Sequence, residues 1–203
     1  MRPSEAVALI GRHVAANTHV YVDIGNSMAW ALRYLRRDVP GHFHVNLAFG
    51  CMGHALPAAI GGVLAGAGPT LALVGDAAFA MTGMELHTAV EEGLSVVVVV
   101  MNDAGHGMVE LGSRHQFGPD AVPDVRFHCP IDAAALARAL GSAAETVRRE
   151  DELSTALQRA FERRGPTLID VLIDPTEAPP MDARLKVITQ NFSGGAPQDG
   201  ARP

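Results

Sequence analysis

Two apolar segments occupy the middle of the chain, and the segment that joins them has a helical pattern. Residues 70–74 and 95–101 are almost entirely aliphatic, and residues 84–92 lie between them. Short apolar runs connected through a helix are typical of buried parallel strands, because a parallel pair requires a long crossover connection. This feature predicts an α/β protein in which both segments lie in one sheet.

Each of the two apolar segments is followed by an oxygen-bearing side chain. Gly75 and Asp76 follow the first segment, and Asn102 and Asp103 follow the second. Taken singly, Asp76 is better explained as a helix cap, and Asn102 with Asp103 as an ordinary turn. Together they favour a site for a hard cation and a phosphorylated ligand, since such ligands bind beyond the carboxyl ends of parallel strands.

Strands and helices alternate along the rest of the chain, which predicts one doubly wound parallel sheet with helices on both faces. The predicted strands span residues 19–24, 42–45, 70–74, 95–101 and 166–173. The predicted helices span residues 4–16, 28–35, 58–65, 84–92, 132–140 and 151–163. Residues 104–127 are polar and rich in Gly and His, and they are expected to form a loop with at most one helical turn.

The composition fits one compact domain. Residues 1–187 are assigned to it, and residues 188–203 have the composition of a disordered tail. The net charge of -6 gives no basic footprint for nucleic acid, and the apolar runs are too short to cross a membrane. Cys51 and Cys129 are too isolated for a zinc site or a structural disulfide. With no cleavable apolar leader in the first residues, the cytoplasm is the expected location.

A second glycine-containing corner precedes the helix predicted at residues 28–35. Asn26 and Ser27 follow Gly25 there, at the end of a predicted strand. Backbone N–H groups at the start of a helix, with these two side chains, are suited to holding phosphate groups. A plain helix cap explains the same residues equally well.

Several linked motifs resemble those of thiamine diphosphate-dependent enzymes. Gly75-Asp76-Ala77 and the later Asn102-Asp103 are similar to the GDG…NN signature of that family, and residues 50–61 resemble the GxMGxxLPAAIG segment of its acetolactate synthase group. Three further segments are also similar to that group, at residues 23–30, 82–90 and 174–181. The resemblance covers roughly residues 5–185. It implies the diphosphate-binding (PP) domain, normally the C-terminal third of a longer polypeptide.

The resemblance implies thiamine diphosphate and Mg²⁺ as cofactors, and it gives individual residues roles. Asp76, Asp103 and a backbone carbonyl near Gly105 would hold the metal ion. Met52 would be the wedge that bends the cofactor, and Gly50 would accept a hydrogen bond from its amino group. The cofactor-binding residues implied in this way are Asn26, Ser27, Gly50, Met52, Gly75, Asp76, Ala77, Ala78, Asp103, Gly105, Gly107 and Met108.

Three residues depart from the family pattern. Ala77 replaces the third glycine of the signature, and Ala78 stands where many members have a serine that contacts phosphate. Asp103 replaces the usual second asparagine, which adds a negative charge near the metal ion. A methyl group at residue 77 is tolerable if its φ angle is negative.

Family members activate the cofactor with a glutamate on a separate pyrimidine-binding (PYR) domain, for which this sequence has no room. The sequence therefore predicts a split enzyme whose activating glutamate lies on a partner chain, in a heteromer with two copies of each subunit. Within this chain the catalytic residues are unknown, and the weak candidates for proton transfer are His106, His115 and Glu110.

The implied reaction is decarboxylation of a 2-oxo acid, with or without carboligation. Two alternatives stay open: a non-catalytic or regulatory subunit that retains the fold, and a subunit of a split phosphonopyruvate or sulfopyruvate-type decarboxylase. A generic nucleotide-binding protein is disfavoured, because neither GxGxxG nor GxxxxGK[ST] is present.

Overall fold

A computed structural model describes residues 1–121 and 124–181. The predicted tail at residues 188–203 lies outside the described residues. Within these ranges the strands are β1 His19–Val22, β2 Phe43–Val45, β3 Thr70–Gly75, β4 Val97–Asn102, β5 Ala143–Val147 and β6 Thr167–Leu172. The helices are α1 Pro3–His13, α2 Asn26–Tyr34, α3 Ala55–Leu64, α4 Asp76–Thr82, α5 Leu86–Glu91, α6 Gly107–Phe117, α7 Ala133–Ala139 and α8 Glu150–Glu162, with a 3₁₀ turn at Gly83–Glu85.

All six strands are parallel and lie in the order β2-β1-β3-β4-β6-β5. The two apolar segments are neighbours, with Leu71 opposite Val97 and Gly75 opposite Met101. The doubly wound parallel fold predicted from the sequence is thereby confirmed.

Helices cover both faces of the sheet, and alternate strand residues supply the two hydrophobic cores. Leu73 and Val99 face the core that includes α1, α2 and α8. Val74 and Val98 face the core that includes α3, α5 and α7. Because both faces are buried, the central strands are continuous aliphatic runs rather than alternating patterns.

The chain changes direction in the sheet between β1 and β3. It passes outward from β1 to the edge strand β2 and then returns through α3 to β3 on the other side of β1. A reversal of this kind opens a crevice at the carboxyl ends of the strands, where α/β proteins bind their ligands. The fold thus places a potential binding site beside the loops that follow β1, β3 and β4.

The structure corrects the sequence interpretation in four places. Within the segment expected to be a loop, α6 occupies Gly107–Phe117. A helix, α4, follows β3 directly. The helix expected at residues 58–65 begins earlier, at Ala55. Strand β5 was not predicted, since three of its five residues are Ala or Glu, which are depleted in strands, and its side chains are mostly half-buried.

In the part of the chain that the structure describes, every helix is too short or too polar to cross a bilayer.

Candidate functional site

A cleft of about 630 Å³, measured with its open mouth, lies at the carboxyl ends of β1, β3 and β4. All of the cofactor-binding residues proposed from the sequence line this cleft except Gly50. Gly50 is exposed, has a φ of 73°, and lies in the loop before α3. The cleft is lined additionally by Ile24, Gly25, Trp30, Met101, His106, Val109 and Ile173.

Asp76 is the first residue of α4 and is almost completely buried. Its Oδ1 accepts a hydrogen bond of 2.9 Å from the Ala77 amide, and its Oδ2 accepts one of 3.0 Å from the Gly105 amide. Burial, and then the nearby charge of Asp103, raise the pKa of Asp76 to about 7. A divalent cation would stabilise the ionised carboxylate that burial disfavours.

Asp103 lies beside Asp76 after β4, and burial raises its pKa as well. Arg126 opposes this rise. One of its guanidinium nitrogens donates a hydrogen bond of 2.6 Å to the Asp103 carbonyl and lies 3.6 Å from Asp103 Oδ2. Among the described residues, no group of three or more His, Cys, Asp or Glu side chains could hold a metal ion. A cation at this place would therefore take two carboxylates, backbone carbonyls and ligand oxygens, which suits Mg²⁺.

Beside the two carboxylates, the start of α2 offers donors that suit an anionic ligand, namely the amide nitrogen of Asn26 and the first backbone N–H groups of the helix. The Oδ1 atom of Asn26 is buried and finds no hydrogen-bond partner among the described residues, and as an acceptor it suits a cation or a donor of the ligand rather than the anion. Asn26 also begins α2, where the first backbone N–H groups lack intrahelical partners. A side chain at Gly107 would collide with Asp103 Oδ2 and place its Cβ 2.9 Å from Asn26 Nδ2. These residues fit a cation bridged to a diphosphate, because the space between them is kept open by a glycine.

A buried network beneath the cleft shapes the turn that carries Asp103. The Asn102 amide donates hydrogen bonds of 3.0 Å to Asp170 Oδ1 and 2.9 Å to the Ile131 carbonyl. Its Oδ1 accepts a bond of 3.2 Å from Ala104, whose φ of 60° is unusual for a residue other than glycine. Burial raises the pKa of Asp170. Asp170 was not predicted from the sequence, although a single charged residue inside an apolar strand indicates a buried polar contact.

A second buried carboxylate, also missed from the sequence, fixes the loop that carries Met52. Asp23 Oδ1 accepts a bond of 2.8 Å from Ile24, and its Oδ2 accepts one of 3.3 Å from Ala55 at the start of α3. Burial raises the pKa of Asp23, and these N–H groups lower it. Gly53, with a φ of 78°, has no room for a side chain, since its Cβ would lie 2.9 Å from Thr82 Cγ2. Met52 is thus held against the cleft.

The three candidates for proton transfer are placed differently. His106 lines the cleft, and its ring packs edge-on against Phe127 at 5.6 Å. Glu110 is buried in a neighbouring depression, where it pairs with Arg114 and Arg126. His115 is exposed on α6 and lines neither space. Of the three, the structure brings only His106 to the site.

The sequence model for the family described as "Thiamine pyrophosphate enzyme, C-terminal TPP binding domain" matches residues 23–171. A protein of Mycobacterium tuberculosis that is provisionally named as an acetolactate synthase large subunit is 32% identical over 176 residues, covering 86% of this chain and 31% of that protein. The acetolactate synthase of Bacillus subtilis is 31% identical, covering 85% of this chain and 30% of that protein. The mitochondrial acetolactate synthase catalytic subunit of Saccharomyces cerevisiae is 31% identical, covering 81% of this chain and 23% of that protein. The chain therefore spans less than a third of the length of these relatives.

Proposed function

Because the chain belongs to the thiamine pyrophosphate enzymes, whose C-terminal TPP binding domain it carries, we propose that it forms the cation- and diphosphate-binding part of a 2-oxo acid decarboxylase. Carboligation of the product to a second carbonyl compound, as in an acetolactate synthase, is the version favoured by the named relatives. Thiamine pyrophosphate, also called thiamine diphosphate, is the proposed cofactor, and Mg²⁺ is the proposed cation.

One observation carries the proposal. The carboxylates of Asp76 and Asp103 line the same cleft as Asn26 and Ser27, the first two residues of α2. Two acidic side chains opposite a helix N-terminus match a cation bridged to a diphosphate. Asp76, Asp103 and the Gly105 carbonyl are proposed as metal ligands, and Asn26 and Ser27 as diphosphate contacts.

The apolar part of the cleft suits the organic part of the cofactor. Met52, Met101, Met108 and Val109 line it, and they exclude water from the position that the reacting atoms would occupy. When bound, thiamine diphosphate supplies a carbon nucleophile and an electron sink for decarboxylation. The proposed roles of the residues of this chain are to bind the cofactor, to orient it and to shield it from water. His106 is the one proposed proton carrier of this chain that lines the cleft.

Activation of the cofactor is proposed to depend on a PYR domain supplied by a separate subunit, in a heteromer with two copies of each chain. The apolar surface near Met52 supports this part of the proposal. Leu47 and Phe49, in the loop before Met52, are 65% and 84% exposed, and Met81 and Met84 are more than half exposed. Large apolar side chains in such numbers are typical of surfaces that another protein covers. We also propose a cytoplasmic location.

A non-catalytic subunit is the second candidate, since Ala77 and Ala78 depart from the family signature. The backbone conformation at Ala77 makes this departure a weaker argument for a non-catalytic subunit. Ala77 lies inside α4, and its φ is not positive, so its methyl group is not strained. The split phosphonopyruvate or sulfopyruvate-type decarboxylase stays an alternative for the substrate.

Calorimetric titration of the full chain with thiamine diphosphate tests the proposal, in Mg²⁺ and in a chelating buffer, with and without a co-expressed partner chain. We expect saturable binding that requires the cation. Absence of binding in every condition would overturn the proposed function. Release of CO₂ from a panel of 2-oxo acids by the complex would then separate an enzyme from a non-catalytic subunit.

A further inference from the structure

Five charged side chains beside the cleft form what we call the acid–arginine cluster: Asp76, Asp103, Glu110, Arg114 and Arg126. The two arginines occupy different positions in it. Arg114 donates hydrogen bonds of 3.1 Å and 2.9 Å to Glu110 Oε1 and makes none to Asp103 among the contacts of the described residues. Arg126 contacts both acids, because its guanidinium group pairs with Glu110 Oε2 and also reaches the carbonyl and carboxylate of Asp103.

The charges of the cluster nearly cancel. Three carboxylates and two guanidinium groups leave one net negative charge when all are ionised. Arg114 pairs with Glu110, whereas Arg126 is shared between Glu110 and Asp103, so Arg126 is the arginine that offsets part of the charge of Asp103. Its side chain is only 33% exposed and that of Asp103 only 13%, so water screens this pair less than a surface ion pair.

We propose that Arg126 sets the charge of the cation site, so that the cation binds together with the diphosphate rather than alone. This inference rests on the proposed function. One net negative charge attracts a bare divalent cation weakly. Arg126 lines the neighbouring depression rather than the cleft, and its positive charge lowers the repulsion that an unbalanced pair of carboxylates would exert on the diphosphate. Arg126 is thus a positioning residue that acts through Asp103.

This role predicts opposite effects on the two ligands. Arg126→Met removes one positive charge, so binding of Mg²⁺ alone should tighten about tenfold, whereas binding of thiamine diphosphate at saturating Mg²⁺ should weaken about tenfold. Asp103→Asn removes a negative charge, so it should weaken the binding of Mg²⁺ alone. The double variant, with Asp103→Asn and Arg126→Met, should bind Mg²⁺ alone with an affinity close to that of the wild type. A residue that merely supported the loop would weaken both ligands when replaced.

The test is calorimetric titration of the full chain with Mg²⁺ alone and with thiamine diphosphate at saturating Mg²⁺. Arg126→Lys keeps the charge but replaces the fork of donors that reaches Glu110 and Asp103 together by one ammonium group, so its affinity for Mg²⁺ alone should lie closer to wild type than that of Arg126→Met. Arg114→Met is the matched control. It removes an arginine that pairs with Glu110 without contacting Asp103. On a logarithmic scale, it should change each of the two affinities by less than half of the change that Arg126→Met causes. Thermal unfolding followed by circular dichroism shows that each variant is folded.

If Arg126→Met weakens both ligands or changes neither, while the wild-type chain binds thiamine diphosphate, the inference is wrong and the proposed function stands. If Arg114→Met has the same effect as Arg126→Met, the net charge of the whole cluster determines the affinities rather than the position of Arg126. The inference is then also wrong. If the wild-type chain binds no thiamine diphosphate either alone or with the co-expressed partner chain, the proposed function fails, and the titrations with Mg²⁺ alone still test the effect of Arg126 on the cation.

Discussion

The amide nitrogen of Gly105 donates a hydrogen bond of 3.0 Å to Oδ2 of Asp76. This bond joins the turn after β4 to the first residue of α4, and so connects the ends of the two neighbouring strands. It holds the carboxylate of Asp76 in place before any ligand binds. The other oxygen of the carboxylate accepts the Ala77 amide, so the rotation of the side chain is restricted from both sides.

Asp76→Asn should abolish cation-dependent binding of thiamine diphosphate and should remove a pH dependence from the stability of the cation-free chain. The pKa of Asp76 is raised to about 7 from its ordinary value of 3.8. Between these pH values the folded wild type binds more protons than the unfolded state, so its stability falls as the pH rises through this window. At pH 4 the variant should be the less stable protein, because the side-chain nitrogen of Asn cannot accept the second of the two backbone N–H bonds that Asp76 accepts. From pH 4 to pH 8 the stability of the variant relative to the wild type should rise by on the order of 1 to 3 kcal/mol.

Urea unfolding in a chelating buffer at both pH values measures this difference. Asp151→Asn is the control, because Asp151 is an exposed acid on α8 whose pKa is lowered chiefly by Arg149. A stability difference between Asp76→Asn and wild type that does not depend on pH would contradict the assignment. Unchanged affinity of the variant for the Mg²⁺ complex of the cofactor would remove Asp76 from the proposed metal ligands.

Gly107→Ala should weaken cofactor binding by at least about tenfold with little loss of helix α6. Its Cβ would collide with Asp103 Oδ2 and approach Asn26 Nδ2 to 2.9 Å, so both proposed ligand-binding side chains must move. Gly112→Ala on the same helix is the matched control. No atom lies within 4 Å of the Cβ that it would add, so it should stabilise the chain by about 0.5 to 1 kcal/mol and leave binding unchanged. Equal binding by both variants would contradict the role given to Gly107.

The sequence was sufficient to predict five of the six strands and the positions of most residues that line the cleft, since its signals there are local. Asp76 and Asp103 stand directly after aliphatic runs, and parallel strands bring such positions to one edge whatever the rest of the chain does. Arg126 and Asp170 could not be placed in this way. Arg126 contacts Asp103, which is 23 positions away, and Asp170 contacts Asn102, which is 68 positions away. No periodic pattern in a sequence predicts contacts between residues so far apart. Helix α6 was missed because Gly107 and Gly112 lower its helix propensity.

Asp170→Ala should destabilise the chain by about 2 to 4 kcal/mol, because it leaves the buried Asn102 amide without its carboxylate partner. The turn that carries Asp103 should loosen too, and cofactor affinity should fall. Asp132→Ala is the control: this exposed residue caps α7 through a bond of 2.8 Å to the Ala135 amide, and its loss should cost about 1 kcal/mol. Urea unfolding compares the two variants, and similar costs for both would mean that the buried network contributes nothing beyond a helix cap.

Acidification should weaken the edge of the sheet through His19 and His44. Their ring nitrogens, His19 Nδ1 and His44 Nε2, lie 3.1 Å apart, and a hydrogen bond at this distance requires one of the two nitrogens to be deprotonated. Burial, then His42 and Arg37, lower the pKa of His19, and burial, then His19 and His42, lower that of His44. Below the unfolded value of 6.5 the unfolded chain therefore binds more protons, so stability falls as the pH drops. Between pH 7.5 and 5.5 the wild type should lose more stability than His44→Gln, measured by urea unfolding. Since both proteins keep Asp76, its opposite pH dependence cancels in the comparison. His128→Gln, at an exposed position, should lose as much as the wild type, and an equal loss in His44→Gln would show that this pair is not pH-sensitive.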